Sequence, residues 1–300
     1  EDLLSQVAYA QGEADEAIEL ASSSLRTRRR LLGEEHPKVA MSLNNLVAIR
    51  RSRGDLDGAR ADLEQSLEIR RTIYGDTHGA VVQSLQNLAV IHSQQHDFEL
   101  AEERLTEAER IVLSIYGDDH VSLADLLFSR ARNNERRGRR REAAAGYRRA
   151  LDIRRANLEP EHPSIATNIV GLANVLRREQ PAAAEALYRE ALALQRARPD
   201  LHGPNIAPTL ERLGELRCRT HPEAGIKLLR EALGIRRQTF GRAPWYAALS
   251  EARLGRCVAT LDVAAGQAAL RRAIGVLEAE LGAENAVTRR AQEWLAESGG

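Results

Sequence analysis

Apolar positions along the 300-residue chain fall at helical spacing. Leu43, Leu46, Val47 and Ile49 form one amphipathic stripe, and Leu56, Ala59, Leu63, Leu67 and Ile69 form the next. Gly54 and, further on, Gly138 lie between two such stripes, where a tight turn needs a permissive backbone. Gly33, Gly75 and Gly117 follow second stripes as stops, and Pro37 and Pro163 open the next first stripes, where a missing N–H costs nothing. No stretch alternates with strand period. The pattern predicts helices joined in pairs and no sheet.

The pairs repeat. His36, His78, His120 and His162 are 42 residues apart each time, and the surrounding text recurs as GEEHPKVAMSLNNL, GDTHGAVVQSLQNL and EPEHPSIATNIVGL. A second ruler runs Ala59, Ala101, Ala143, Ala184, Gly225 and Gly266, at spacings of 42, 42, 41, 41 and 41. A third runs Ser24, Ser66, Ala108, Ala150, Ala191, Ala232 and Ala273. Seven units follow, at about 1–35, 36–77, 78–119, 120–161, 162–202, 203–243 and 244–283, with 284–300 as a further helix capping the last. One helix pair cannot bury its stripe alone, whereas stacked pairs can. Small residues at fixed positions let the helices approach, and the larger aliphatic residues fill the space between neighbours.

Small residues twelve apart (Val47/Ala59, Ala89/Ala101, Ala131/Ala143) make the units resemble the tetratricopeptide repeat. The 42-residue period, HPKVA at 36–40 and LNNL at 43–46 are similar to the kinesin-light-chain type. The resemblance covers about residues 1–283. It implies an all-α fold: a right-handed α-α superhelical solenoid of about seven pairs plus a cap, fifteen helices in one domain, 1–300. The pattern also departs in places. Ser129 and Arg130 stand where earlier first helices have Asn and Leu, the fifth and sixth units are shorter, with Pro181 and Pro222 in their central turns, and later units lack the Asn-Asn string. The first helix, from Asp2 to Gln11 before Gly12, reads as clipped, so the chain is expected to be cut from a longer parent. Arrays of this type often adjoin bacterial kinase or signalling-ATPase modules, which implies a signalling setting.

Composition narrows the class. Two cysteines are too few for a disulfide-stapled secreted scaffold, and nine prolines too few for a Pro-rich disordered chain. A mean hydropathy of −0.41 and frequent charges leave no apolar run long enough to span a bilayer. With no signal-peptide pattern, cytoplasmic is the expected location. The 43 basic and 43 acidic residues cancel overall but not locally. Residues 1–129 carry a net −10, residues 130–155 a net +8 with eleven arginines, and the remainder +2. Only Lys38 and Lys227 are lysine, so arginine richness reflects base composition of the gene as readily as anion binding.

Catalytic and metal chemistry find little footing. The four periodic histidines would line a ridge rather than converge on one ion, so they are read as capping or packing the following helix. His92 and His96 are four apart, but His96 falls at the turn glycine position and no Glu follows His92. Cys218 and Cys257 have no CxxC partner, and Cys257 reads as a small buried residue of a core stripe. Phosphate-binding glycine loops, nucleophile elbows and kinase signatures are absent. Paired carboxylates such as Glu34–Glu35 and Asp118–Asp119 lie in polar loops. The expectation is a non-enzymatic chain with no cofactor and no metal.

What remains is surface. The resemblance implies a concave face lined by first helices, and Asn at the equivalents of Asn45 and Asn87 implies a clamp on an extended peptide. Mapped by register, that groove holds Asn44, Asn45, Gln86, Asn87, Arg132 and Asn133, then Asn174, Arg212, Arg253 and Arg256; Ser129 and Glu215 share the face. Carboxamides suit the task because each offers a donor and an acceptor to a peptide backbone. The waist RNNERRGRRRE adds Arg136, Arg137, Arg139, Arg140 and Arg141 as a patch for an acidic partner. The acidic N-terminal units also offer a complementary surface for self-association. An alternative is a helical-repeat nucleic-acid binder using 130–155. It is disfavoured: only Phe128 and Tyr147 are near for stacking, and the Asn45 position reads Asn45, Asn87, Ser129, Gly171, Arg212, Arg253, which is no repeating code. The expected function is a protein–protein scaffold, the sensor or adaptor region of a signalling protein, with no membrane contact.

Overall fold

A computed structural model describes residues 2–10, 13–239 and 244–299, and all regular structure in them is helical. The turn expected at Gly12 lies outside the described residues. Eight helices make four pairs in a compact unit spanning 1–157: α1 (Asp2–Ala10) with α2 (Ala14–Leu32), α3 (Pro37–Ser52) with α4 (Leu56–Tyr74), α5 (Gly79–Gln94) with α6 (Phe98–Tyr116), and α7 (Val121–Arg136) with α8 (Arg140–Asn157). A second unit, 158–300, pairs α9 (Pro163–Leu176) with α10 (Pro181–Ala197), α12 (Ile206–Arg217) with α13 (Pro222–Thr239), and α14 (Pro244–Val258) with α15 (Val263–Leu281). α16 (Ala286–Glu297) closes it against α14 and α15, as the cap assignment expects.

The loop before the sixth pair differs from the expectation. Between α10 and α12 the chain forms a one-turn helix, α11 (Pro199–His202), and a 3-10 turn over 203–205. No histidine caps α12; His202 is buried instead.

Elsewhere the periodic signals act as local chemistry demands. The Nδ1 atoms of His36, His78, His120 and His162 accept from the backbone N–H of Lys38, Ala80, Ser122 and Ser164 at 3.1, 3.0, 3.2 and 3.2 Å. Each satisfies one of the donors a helix start leaves open. Gly33, Gly75 and Gly117 end second helices at φ 84, 76 and 80°, returning their N–H to the last turn. His96 takes the place of Gly54 and Gly138 and shares their left-handed backbone at φ 67°, a conformation rare for a residue with a Cβ.

Core residues recur in the same register. Leu63, Leu105, Tyr147, Tyr188, Leu229 and Leu270 sit one per pair, all essentially inaccessible to solvent. Each burial of this size contributes roughly 1.5–3 kcal/mol. Where the residue is tyrosine, its hydroxyl finds an acceptor on the first helix of the pair: Glu135 Oε2 at 3.0 Å for Tyr147, Asn174 Oδ1 at 2.7 Å for Tyr188. Beside this residue runs the fully buried small position of Ala59, Ala101, Ala143 and Ala184. In the sixth pair it is Gly225, where an added Cβ would stand 2.8 Å from the Gly214 carbonyl oxygen.

Arginine turns out to be structural mortar. Near the end of α2, Arg28 donates to Ser42 Oγ at 2.5 Å, and in the same register Arg70 of α4 donates to Ser84 Oγ at 3.0 Å and the Ala80 carbonyl at 2.8 Å. Both anchor the first turns of the next first helix. On neighbouring positions Arg29 reaches Gln65 (2.7 Å), Arg71 reaches Glu107 (2.5 Å) and Arg196 holds Glu231 through both oxygens (2.7 and 2.8 Å), each linking successive second helices. First helices of successive pairs approach directly, α5 on α7 in one unit and α12 on α14 in the other.

Candidate functional site

In the first unit, Asn45 on α3 and Asn87 on α5 occupy equivalent positions, half-buried, with no hydrogen-bond partner among the described residues. Their neighbours are committed. Asn44 Nδ2 donates to the Ala40 carbonyl (3.1 Å) and Ser66 Oγ (2.9 Å), and Gln86 Nε2 ties α5 to α7 through the Asp125 carbonyl and Ser129 Oγ, both at 3.0 Å. The register expected at the groove therefore separates: Asn45 and Asn87 keep free carboxamides, while Asn44 and Gln86 hold helices together.

Asn133 does not line the groove. It is 1% exposed and donates to the Phe98 carbonyl at 3.1 Å, across the α6–α7 contact. One residue past exposed Arg132, the helix has turned about 100°, from solvent into the packing face. The signal was in the sequence: Asn133 stands in the register of the buried residues Ile49, Ile91 and Val175.

The basic waist also separates. Arg137 pairs with Glu99 at 2.5 Å and lies over the Phe98 ring, Arg130 bridges Glu102 and Glu109 at 2.7 and 2.8 Å, and Arg140 has a partner as well. The acidic and basic stretches of the sequence thus neutralise each other in part across α6 and α7. Exposed Arg132, Arg136, Arg139 and Arg141 have no ion-pair partner among the described residues. Two of these bear electrostatically on a residue the sequence pattern did not single out. Arg51, at the end of α3, donates to Gln94 Oε1 at 3.1 Å, and its pKa is lowered, first by partial desolvation and then by the charges of Arg132 and Arg136. Arg51 on α3 and these two arginines on α7 thus repel one another electrostatically. Phe128 and Tyr147 offer no stacking platform, since they pack edge to face with Arg154 over Phe128.

In the second unit, Asn174 spends its carbonyl on Tyr188. Arg212 contacts Glu215 at 3.3 Å, Arg253 holds Glu211 (2.6 Å) and Glu215 (3.0 Å), and Arg256 lies over Trp294 and 3.6 Å from Glu297. Glu211, absent from the expected set, is the hub. It is 3% exposed and also takes Ser250 Oγ at 2.5 Å and Arg236 at 3.4 Å. Its register is that of Asn44 and Gln86, the committed position of the first unit.

Cys257 is buried, as its stripe position predicts, and it forms a disulfide with Cys218 between the end of α12 and α14, with Cα atoms 5.6 Å apart. His92 and His96 have separate roles: His92 is buried near Asp97, with burial lowering its pKa, and His96 packs edge-on against Phe98.

Stacked helix–turn–helix units, a face of first helices with unspent carboxamides, and periodic turns and caps define an α-helical repeat protein. The chain belongs to the tetratricopeptide repeat family, whose model matches residues 2–72, 39–114 and 137–197. The stretch 115–136, which contains the departing first helix of the fourth pair, falls between the matches. Among curated proteins no match was found. Solved structures share the fold. One shows the nearly identical TPR-like repeats of a Podospora anserina kinesin light chain, 23% identical over 65% of this chain and 93% of that one, with a TM-score of 0.52. BtubC of P. vanneervenii is 17% identical over 76% and 92%, with a TM-score of 0.62. A signal-transduction ATPase with a tetratricopeptide repeat sensor, from Pyrococcus horikoshii, is 13% identical over 96% of this chain but 44% of its own, with a TM-score of 0.66. No described helix is long and apolar enough to cross a membrane.

Proposed function

We propose that the chain is a non-enzymatic scaffold that holds an extended, acidic segment of another protein along the first-helix face of its first unit. The reading includes the seven pairs acting as one domain over 1–300, in a cytoplasmic sensor or adaptor region of a larger signalling protein. The observation that carries it is the pair Asn45 and Asn87: equivalent positions on successive first helices, half-buried, each with an unspent carboxamide. Their carboxamides are open to solvent and uncommitted within the chain, and a peptide backbone supplies the matching donor and acceptor. Arg51, Arg132 and Arg136 on the same face favour carboxylates in that segment.

The test is a titration with fluorescent peptide pools that are acidic, neutral or basic, at two ionic strengths. Two hydrogen bonds of about 1 kcal/mol each make Asn45→Ala with Asn87→Ala weaken acidic-pool binding roughly thirtyfold at both. Arg132→Ala with Arg136→Ala should weaken it mainly at low salt. Binding indifferent to the Asn pair moves the site elsewhere. Tighter binding of an oligonucleotide with a steep salt slope replaces the reading with nucleic acid. Self-association shows as a concentration-dependent mass in the same samples.

A further inference from the structure

The second unit contains a hollow of about 600 Å³ that the peptide reading does not use. Its volume is that of a small-molecule site. Its chemistry is unusual, because seven arginines line it and Glu215 is the only carboxylate among the lining residues. Arg177, Arg212 and Arg253 all converge on that one glutamate, at 3.8, 3.3 and 3.0 Å. Arg178 and Arg219 are exposed and have no ion-pair partner among the described residues. Arg256 and Arg290 lie over the ring of Trp294, their guanidiniums 5.3 and 5.6 Å from its centroid. Counting the carboxylates that touch these arginines from outside the hollow (Glu211, Glu293 and Glu297), positive charge still exceeds negative by three.

Such crowding of like charge is costly unless an anion relieves it. Guanidinium forks match phosphate oxygens two at a time, which is why arginine suits concentrated negative charge. Leu216, Leu249 and Val287 give the hollow an apolar wall. Trp294 lines the hollow beneath Arg256 and Arg290; it is 6% exposed, and its indole N–H is out of reach of solvent. The Cys218–Cys257 disulfide lines the same hollow and ties α12 to α14 at its edge.

We infer that this hollow binds an organic di- or triphosphate, its phosphates among Arg178, Arg219 and the arginines around Glu215 and its organic part against the apolar wall. A charge of −3 to −4 matches the excess on the lining, and a hollow of this volume suits a compact polyanion better than an extended segment. The site lies wholly in the second unit, so it stands or falls independently of the peptide groove.

The chain has two tryptophans, Trp245 and Trp294, so Trp245→Phe leaves Trp294 as the sole tryptophan, which excitation at the red edge of the absorption band reads apart from the tyrosines. ATP, without divalent metal, should change Trp294 emission saturably, and tripolyphosphate should compete. Arg178→Ala with Arg219→Ala, which removes no intrachain ion pair, should raise the Kd about tenfold or more with the thermal melt unchanged. Asn45→Ala with Asn87→Ala should leave ATP binding as it is. No saturable response to ATP at about 1 mM, or an affinity unmoved by the double arginine variant, overturns the inference. So does displacement of ATP by a heptaglutamate peptide at lower concentration than by tripolyphosphate, which would make the hollow an acidic-peptide site.

Discussion

The two units use the same repeat in different ways. The first is held by devices used again and again: histidine caps at 36, 78 and 120, glycine stops at 33, 75 and 117, and Arg28 and Arg70 in one register. The second keeps the His162 cap but adds devices used once, among them the Glu211 hub, the Cys218–Cys257 disulfide and Trp294 of the capping helix. Where the period is strict, many small and equal terms share the load, and no single residue dominates. Where the period fails, at the shortened fifth and sixth pairs, a few strong interactions replace the missing repeats. Stability in a repeat array is local, so the difference should be measurable unit by unit.

The sharpest way to break the comparison is Glu211→Ala. Removing a buried carboxylate that serves Arg253, Arg236 and Ser250 should cost about 3–5 kcal/mol. Hydrogen exchange should accelerate in 206–281 while 37–157 keeps its protection; loss of protection spread evenly over both units would refute the division of labour. Next comes Cys257→Ser, or reducing agent on the wild type. The cross-link closes a 39-residue separation, for which chain entropy gives an upper figure of about 4 kcal/mol. Mass spectrometry of the intact chain checks the premise, because a cytoplasmic setting would keep both thiols reduced.

A single cap in the first unit should matter less. His78→Ala removes one acceptor from the start of α5 and should cost about 1 kcal/mol, and His36→Ala or His120→Ala about the same, by thermal or urea melts. Unequal costs among the three would show that the repeats are not equivalent. The smallest effect is on acidification. Burial lowers the pKa of His92, with Asp97 opposing and Arg104 and Arg60 assisting. His92 is therefore more readily protonated in the unfolded chain than in the fold. The stability it protects is present above the ordinary histidine pKa near 6.5 and falls as pH drops through the lowered folded value. A His92→Leu variant should lose less stability between pH 8 and pH 5 than the wild type; an equal loss would assign the acid sensitivity to other groups.

Much of the fold was legible before any coordinates. The 41–42-residue rulers, the glycines at left-handed positions and the prolines opening helices are local requirements, and a residue type answers each without knowing its neighbours. Register also placed Asn45 and Asn87, because equivalent positions in a stack meet equivalent surroundings. The same logic, applied strictly, puts Asn133 in the core with Ile49 and Ile91. His96 shows the limit of residue type: it holds the left-handed turn that Gly54 and Gly138 hold elsewhere, and only its spacing announced it.

The sequence by itself determined the helical pairs, their number, their caps and the closing helix, since each follows from spacing and from chemistry within one turn. Tertiary structure alone decided which arginines are spent on packing and which face solvent. It also paired the two cysteines, buried Glu211 beneath Arg253, and gathered seven guanidiniums around one hollow. Those outcomes depend mostly on side chains of different helices, from 10 to 42 residues apart in the pairs named above, that only stacking brings together. Charge in a sequence is a sum over neighbours along the chain, whereas the energy of a charge is set by its neighbours in space.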